Sequence, residues 1–326
     1  MVLKNAGANF LKNWRTEYCA PSEVFASRTF WVVAAVWIFI WSLLPALCVG
    51  NVFIDVAENV AWGMHFQPGY DKNPYFGAWL TYFFYDMFGT EAVSYVLSQF
   101  FVFMSLFAMW SMGKRMFHSG FHALVAVLVM LIIPYFSHSA CEFNDDVIEI
   151  GLWAVMILFF HRALDGQDVW DWAAVGVAGG LAVMTKYLGV AICVSLATLL
   201  VILPEGRKSW RRPGIYIAAA IFWALVIPNL VWLYNHDFIA FHYAGGRSVE
   251  KTVVVPFPRI VNPLRLIGNY IVPLLLPVAA LAVFFRRGRR AVVLRRDMIF
   301  LLPVMFGPFV LSLLFSLATG GKIIQS

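Results

Sequence analysis

Charged residues are scarce in this sequence: only 13% of its 326 residues are Asp, Glu, Lys or Arg. A soluble domain carries about a quarter charged residues, so this shortage excludes an ordinary soluble fold. Hydrophobic residues make up 61% of the chain. They form repeated apolar stretches of about 15 to 22 residues, close to the length that crosses a bilayer. The composition therefore predicts an all-α polytopic membrane protein.

Cysteine is also rare, and its placement argues against a disulfide-rich protein and against a cysteine-based metal site. The four cysteines are scattered along the chain and show neither a disulfide framework nor a metal-binding spacing.

The net charge of +6 invites a nucleic-acid interpretation, but the basic residues form short clusters between apolar stretches, which is typical of cytoplasmic loops. The first apolar run lacks a small-residue cleavage pattern, so it is interpreted as an anchor and not as a cleaved signal.

The apolar stretches predict a transmembrane domain over residues 30–318, with a cytoplasmic segment at 1–29 and an outer tail at 319–326. About nine spans are expected, at 30–50, 90–112, 119–136, 147–163, 170–185, 187–203, 214–234, 266–285 and 298–318. This arrangement leaves 17 of the 24 Lys and Arg residues inside, the bias that sets membrane orientation. The loops 51–89 and 235–265 then lie outside.

Acidic residues show the opposite bias, since 11 of the 18 fall outside or near the outer ends of the spans. The positive-inside rule says little about acidic residues, so this enrichment needs another cause. The loop 51–89 is rich in aromatic residues, which suits segments that lie in the membrane interface. Two short helices joined by the turn QPGYDKNP are predicted there, because its prolines interrupt a helix.

Asp55 and Glu58 are the first candidates for chemistry in this loop. They lie three residues apart, so both project from one face of a helix. One interpretation is that they are solvated residues at a helix start, favoured there by the helix dipole. The other is that a carboxylate held at the bilayer surface acts as a general base. The spacing favours the first interpretation for Glu58 and leaves Asp55 open.

A second acidic cluster lies in the segment SHSACEFNDDVIEI. Asp145 and Asp146 precede a predicted span, and Glu149 lies one turn into it. A carboxylate within a membrane helix costs about 2.5–3.5 kcal/mol, so it usually faces a cavity or a partner. One of the two aspartates is expected to cap the helix. The three carboxylates together exceed what a cap needs.

Several cations lie on the predicted outer side, against the general bias. Lys186 lies between two short spans, where snorkelling to the interface is one interpretation. Arg247 and Lys251 lie in the second outer loop, where solvation is the simple interpretation. If these cations and Lys72 converge with the carboxylates, the group would suit a phosphate-bearing ligand and a hydroxyl acceptor.

Four segments of the chain, in order, resemble the protein O-mannosyltransferase superfamily, which includes the lipid A aminoarabinose transferases and many bacterial C-type glycosyltransferases. The D-x-A, YDKNP and FGAWL sequences resemble its first outer loop. The matching residues are Asp55, Gly69, Tyr70 and Pro74, and the departures are Val56 and Tyr75. The segments NDDVIEIGLWAVMILFFHRAL, GGLAVMTKYLGV and IPNLVWLYNHDFIAF resemble later elements, with Asp146 aligned to the family's Asp. Family chains continue through further spans, so a partial chain is expected.

The resemblance implies a C-type glycosyltransferase bundle that transfers a sugar, with inversion, from a polyprenyl-phosphate carrier to an acceptor hydroxyl. Asp55 would be the general base. The expected substrate-binding residues are Glu58, Tyr70, Lys72, Asp146, Lys186 and Arg247. The reaction would take place on the extracytoplasmic side of a bacterial inner membrane. The acceptor would be a lipid, a polysaccharide or a protein, with membrane lipids as further partners and no nucleic acid.

The donor type also fits what the sequence lacks. No Asp-x-Asp motif or glycine-rich phosphate loop occurs in it, which is consistent with a lipid-linked donor and not a nucleotide sugar. No cofactor is indicated, and a divalent cation that bridges Asp146 to the phosphate stays open.

Two other functions compete with this one. A transporter or lipid flippase would also place charges in the membrane, but transporters tend to show repeated halves and broken helices at the midplane. The charges here collect at one surface, and no internal repeat is visible. A non-catalytic assembly subunit would keep the spans, and the presence of Asp55 argues only weakly against it.

Overall fold

The computed structural model describes residues 21–250, 257–286 and 293–319. Across these ranges the chain is almost entirely α-helical and contains no β-strand, so the predicted all-α fold is confirmed. In chain order the helices are α1 (Pro21–Cys48), α2 (Ile54–Gly63), α3 (Phe76–Phe88), α4 (Val93–Phe117), α5 (Gly120–Leu131), α6 (Asp145–Gly166), α7 (Val169–Thr185), α8 (Gly189–Ile202), α9 (Pro204–Ser209), α10 (Pro213–Asn235), α11 (Ile239–Glu250), α12 (Pro258–Ile271), α13 (Leu275–Arg286) and α14 (Arg295–Thr319).

Within the described ranges, six helical segments are long and apolar enough to cross a membrane. They are Glu23–Cys48, Val93–Phe117, Asp145–Gly166, Pro213–Asn235, Arg259–Ala282 and Arg295–Ala318. A seventh span results if α5 and the short helical turns after it, which bend by 92°, are counted together. Helices α7 and α8 are apolar but shorter. The chain is therefore an integral membrane protein, and the division into nine spans stays a prediction.

Helix α6 lies at the centre of the bundle, between α4 and α7, and α10 runs along the other side of α7. One hydrophobic cluster joins α1, α4 and α6 around Phe30, Leu106 and Ile148. A second cluster joins α7, α8 and α14 around Trp172 and Phe300. Residues of α6 pack in both clusters, so the helix is held in place along its length. The residues at its two ends are therefore held in place as well.

The close packing of α7 on α10 depends on a small residue. A Cβ atom added to Gly176 would lie 2.5 Å from the carbonyl oxygen and 2.9 Å from the Cα of Ala218. Both of these are backbone atoms, which cannot move aside as a flexible side chain can. Small residues at such crossings let two helix backbones approach closely, as is common in membrane bundles.

The start of α6 differs from the sequence expectation. Its N-cap is Asn144, whose side chain accepts a hydrogen bond from the Val147 N–H at 3.1 Å. The prediction that Asp145 or Asp146 caps this helix is therefore wrong. Asn144 has the extended backbone of an N-cap residue and satisfies one of the free N–H groups of the first turn. Both aspartates lie inside that turn, and their carboxylates are left to other partners.

The second predicted outer loop, 235–265, also differs, because residues 239–250 of it form helix α11. Ala240 in its first turn is buried, and the ring of Phe241 stacks on Tyr187 with centroids 5.1 Å apart. These tertiary contacts outweigh the low helix propensity of the pair Gly245 and Gly246. Arg247 therefore lies in a helix, whereas Lys251 falls outside the described residues.

Candidate active site

Two short helices, α2 and α3, occupy the aromatic loop, and the turn between them brings Lys72 back onto α2. Lys72 Nζ lies 2.7 Å from Glu58 Oε2 and 3.8 Å from Asp55 Oδ1. The side chains of Lys72 and Asp55 are only 17% and 20% exposed. The ring of Trp62, whose centroid is 5.9 Å from Nζ, lies beside the cation. The three charged residues expected to meet in this loop therefore lie together and are partly shielded from water.

The electrostatics of this group keep Lys72 charged. Burial lowers the pKa of Lys72, but the hydrogen bond and charge of Glu58, followed by the charge of Asp55, outweigh it and raise the pKa overall. An opposite charge within a few ångström favours the charged form. Lys72 is thus a fixed positive charge, and Glu58 is its hydrogen-bond partner and not simply a solvated residue.

The turn that carries Lys72 is held by its own residues. The Tyr70 N–H donates to the Asn73 carbonyl oxygen at 3.0 Å. The Tyr70 ring is buried and stacks on Trp62, with centroids 5.4 Å apart and planes within 9°. Tyr70 thus lies against Trp62, the ring that Lys72 contacts, and supports the turn; its expected contact with substrate stays a prediction.

The same turn is fastened to α10. Asn229 Nδ2 donates to the Pro68 carbonyl oxygen at 2.7 Å. At Gly69 an added Cβ atom would lie 2.5 Å from the ring of Trp232 and 2.6 Å from the amide nitrogen of Asn229. Only glycine lets the turn approach α10 this closely. The turn is therefore part of the helical bundle and not a free loop.

Asn73, the residue after Lys72, joins the turn to the start of α6. Its Nδ2 donates to Asp145 Oδ2 at 2.5 Å. Asp145 is buried, and its other oxygen, Oδ1, has no hydrogen-bond partner among the described residues. A Cβ atom at Gly77 would collide with this oxygen. Sequence reasoning missed this contact, although Asn73 and Asp145 both lie in segments that it singled out.

Asp146 and Lys186 form the second ion pair of the site. Lys186 Nζ donates to Asp146 Oδ1 at 2.6 Å, which joins the end of α7 to the start of α6. Burial lowers the pKa of Lys186, but the charge and hydrogen bond of Asp146 outweigh it and raise the pKa overall. Lys186 therefore bonds to a carboxylate within the protein, which differs from the snorkelling interpretation.

Two more carboxylates lie close by. Glu149 is only 5% exposed, and its Oε1 has no hydrogen-bond partner in the described part of the chain. Burial raises the pKa of Glu142, and the negative charge of Asp55 raises it further. Glu142 therefore faces the same region as Asp55. It lies in the acidic segment that the sequence analysis quoted, but its role there was not recognised.

An open groove of about 490 Å³ runs beside this cluster. It is lined by the last residues of α1, by Phe53 at the start of α2, and by Tyr135, Glu142 and Asn144. One wall is therefore the apolar end of a membrane span, and the other carries Glu142 and the cap of α6. The groove thus extends from apolar residues at the end of α1 to Glu142.

Two expectations stay untested. The side chain of Arg247 is not among the described parts of the structure, so α11 places this residue only along the backbone. The divalent-ion alternative at Asp146 stays a prediction, and Oδ1 of this carboxylate bonds to Lys186. In addition, no group of three His, Cys, Asp or Glu side chains in the described ranges is arranged to hold a metal ion.

Comparison with known proteins shows which families and proteins the chain is similar to. A family model for dolichyl-phosphate-mannose-protein mannosyltransferases matches residues 72–232. This match confirms the resemblance to the protein O-mannosyltransferase superfamily. The matched region contains Lys72, the start of α6 and Lys186, and it begins after Asp55.

Two bacterial relatives are similar over more than half of the chain. The lipopolysaccharide core galacturonosyltransferase RgtA of Rhizobium johnstonii is 27% identical over 186 residues, 55% of this chain and 36% of its own length. The lipid A galacturonosyltransferase RgtD of the same organism is 24% identical over 189 residues, 57% of this chain and 39% of its own length. The chain thus spans little more than a third of either relative. No solved structure matches it.

Proposed function

We propose that the chain is a membrane glycosyltransferase that moves a sugar from a polyprenyl-phosphate carrier to an acceptor hydroxyl. The observation that carries this proposal is the group of Asp55, Glu58 and Lys72, in which a carboxylate and a protonated amine lie 3.8 Å apart at the end of the first span. The family match and the two galacturonosyltransferase relatives support the reaction class.

Asp55 is the general base in this proposal. Its carboxylate accepts the proton of the acceptor hydroxyl as the hydroxyl oxygen attacks the anomeric carbon. The bond from that carbon to the phosphate oxygen breaks, and the polyprenyl phosphate leaves with the electron pair. Attack opposite the leaving group inverts the anomeric centre.

The phosphate leaving group needs cations more than an acid, and Lys72 and Lys186 supply them. Both amines already bond to a carboxylate, at 2.7 Å for Glu58 and 2.6 Å for Asp146. Each ammonium group has three N–H donors, so it can bond to the donor phosphate while it keeps its carboxylate partner. Lys72 is the better placed of the two because it also lies beside Asp55. Arg247 is the third candidate.

The groove beside the cluster fits the lipid part of a substrate. Its apolar wall at the end of α1 suits a hydrocarbon chain, while Glu142 and Asn144 lie at its polar end. A lipid-borne substrate could thus stay in the membrane while its sugar reaches Asp55. We place this site on the extracytoplasmic face of a bacterial inner membrane, as the distribution of basic residues indicates.

The relatives suggest which substrates to test first. Both are named galacturonosyltransferases, one for lipid A and one for the lipopolysaccharide core. We therefore propose a lipid A or lipopolysaccharide acceptor, with a hexuronosyl, hexosyl or pentosyl donor.

The direct test is sugar transfer by the purified protein in detergent. Radiolabelled polyprenyl-phosphate sugars are incubated with a lipid extract, and the label is followed into products. Asp55→Asn should abolish transfer, because an amide cannot accept the proton, while the protein still inserts and purifies as the wild type does. Asp71→Asn is the matched control, since Asp71 lies next to Lys72 in the turn after α2 but is exposed.

Two results would contradict the proposal. Full activity of the Asp55→Asn variant would remove Asp55 as the base. Movement of labelled polyprenyl phosphate across sealed vesicles without any transfer of label would instead favour a flippase. Clustering of the acidic residues at one end of the bundle, and not along a path through it, favours the enzyme.

A further inference from the structure

A basic pocket lies at the other end of the bundle. Helix α8 begins beside Lys186 and runs for about 21 Å away from the acidic cluster to α9. There a cavity of about 710 Å³ opens at the protein surface. Its lining consists of Pro204 and four cations, Arg207, Lys208, Arg211 and Arg212. We call these five residues the basic pocket.

Little negative charge is available to neutralise this pocket. Glu205 is the one acidic residue in its segment, and its Oε1 lies 3.9 Å from the Nε of Arg296 on α14. Among the residues that the structure describes, no ion pair involves Lys208, Arg211 or Arg212. Outside those ranges the sequence contains a single acidic residue, Glu17. The pocket therefore carries a local excess of positive charge.

The frame of the pocket is rigidly built. A Cβ atom at Gly206 would lie 2.6 Å from the Cα of Leu200, so α9 packs directly on the end of α8. Arg207 Nη1 donates to the carbonyl oxygens of Val201 and Ile202 at 2.8 and 3.0 Å. This arginine thus satisfies the last carbonyl groups of α8, and it fixes the direction of the segment that carries the other cations.

Side chains around the pocket indicate that it lies at the membrane interface. Trp210 is 49% exposed and Tyr216 is 58% exposed. The Tyr216 hydroxyl donates to the Trp210 carbonyl oxygen at 2.9 Å. Exposed aromatic residues of this kind are enriched where a membrane meets water. Val201 and Ile202 are also exposed and add an apolar rim on the side of the bundle.

We propose that the basic pocket binds the phosphate headgroup of an anionic phospholipid, with its acyl chains against the apolar rim. Basic residues that only set the membrane orientation of a protein need no particular loop shape. A concave site with several cations, a rigid frame and an apolar edge is the arrangement that recognises an anionic lipid headgroup. This site is separate from the sugar-transfer site and does not depend on the proposed function.

The test compares lipid binding by purified variants. Native mass spectrometry of the protein released from detergent micelles counts bound dioleoylphosphatidylglycerol and dioleoylphosphatidylcholine. The variant Arg211→Gln/Arg212→Gln should lose affinity for the anionic lipid by about fivefold for each charge removed. Arg259→Gln/Arg265→Gln is the matched control, because these two exposed cations of α12 lie outside the pocket.

The wild type and the control should prefer phosphatidylglycerol over phosphatidylcholine, and the charge-preserving variant Arg211→Lys/Arg212→Lys should keep that preference. Equal binding of both lipids by the wild type would overturn the proposal. An equal loss in the control variant would also overturn it, since only total charge would then matter. Displacement of the lipid by an equal concentration of inorganic phosphate would reassign the pocket to a free anion. Thermal unfolding without lipid checks that every variant is folded.

Discussion

Two neighbouring residues of one turn, Lys72 and Asn73, bond to two different acidic groups. Lys72 bonds to Glu58 on α2, and Asn73 bonds to Asp145 on α6. The turn thereby sets the distance between the carboxylates after the first span and those at the start of α6. One carboxylate oxygen of Asp145 is left without a hydrogen-bond partner in the described chain, and it lies buried against Gly77 of α3.

Replacing Lys72 by Ala tests its role at the phosphate. We expect the KM for the polyprenyl-phosphate donor to rise by about 10- to 100-fold, since a hydrogen bond to a charged group contributes about 1.5–3 kcal/mol. Lys72→Arg should restore most of the donor affinity. Steady-state kinetics at varied donor concentration measure both effects.

A different result would assign Lys72 another role. If the residue only neutralises Asp55 and Glu58, Lys72→Ala would change the pH dependence of kcat and leave donor saturation as in the wild type. The phosphate site would then be reassigned to Lys186.

At the residue scale, the sequence predicts contacts between residues that are close in the chain and misses contacts between distant ones. Asp55 and Glu58 share a helix face because they are three residues apart, and local geometry alone gives that. The bond from Asn73 to Asp145 joins residues 72 positions apart, so it depends on tertiary packing, in which α3 lies against α4 and α7. The N-cap at Asn144 is a local feature, but Asn and Asp are both preferred N-cap residues, so the sequence alone does not distinguish Asn144 from the two aspartates after it.

At the level of single helices, the crossing of α7 and α10 leaves no space for a larger residue at position 176. Gly176→Ala should lower thermal stability, because its new methyl group would meet the backbone of Ala218 and not a side chain that can move. Overpacking of this kind costs about 1–3 kcal/mol. Gly166→Ala is the control, since a Cβ atom there has no neighbour within 4 Å. Thermal unfolding in detergent compares the two variants, and an equal melting temperature for both would show that the crossing can relax.

Helix positions were more predictable than helix boundaries. In the described ranges, each of the six helical segments long and apolar enough to cross a membrane overlaps a predicted span. Long apolar runs are a strong signal because burial in lipid leaves the backbone no other arrangement. Helix α11 was not predicted, since its paired glycines at 245 and 246 favour a loop when only local propensity is considered. Contacts of Ala240 and Phe241 with the rest of the bundle decide the outcome there.

Positive and negative charges are distributed unequally between the two ends of the helical bundle. Carboxylates dominate the end where α2, α3 and the start of α6 meet, and cations dominate the end that holds α9. Each end has a charged network that ties several helices together. At the second end this network centres on Asp165 in the last turn of α6, which bonds to Arg115 of α4 at 2.5 Å and also to Arg296 of α14.

Asp165→Asn should therefore destabilise the bundle as a whole. It leaves Arg115 without its carboxylate and Arg296 with only the more distant Glu205, 3.9 Å away. It also removes one of the bonds between the start of α14 and α6, where His161 still contacts Asp297. Because these side chains are about one-third exposed, we expect a loss of about 1 kcal/mol, below the range for buried charged hydrogen bonds. Asp86→Asn, at an exposed position of α3, is the control.

The measurement is thermal unfolding in detergent together with limited proteolysis before α14. Asp165→Asn should melt at a lower temperature and be cut faster at this point than the control, while its KM for the donor stays near the wild-type value. The reason is that Asp165 lies at the far end of α6 from Asp145, about 20 residues or 30 Å along the helix. A change in donor KM without a change in melting temperature would mean that the two ends of α6 are coupled, and that the network around Asp165 acts on the site and not on the stability of the fold.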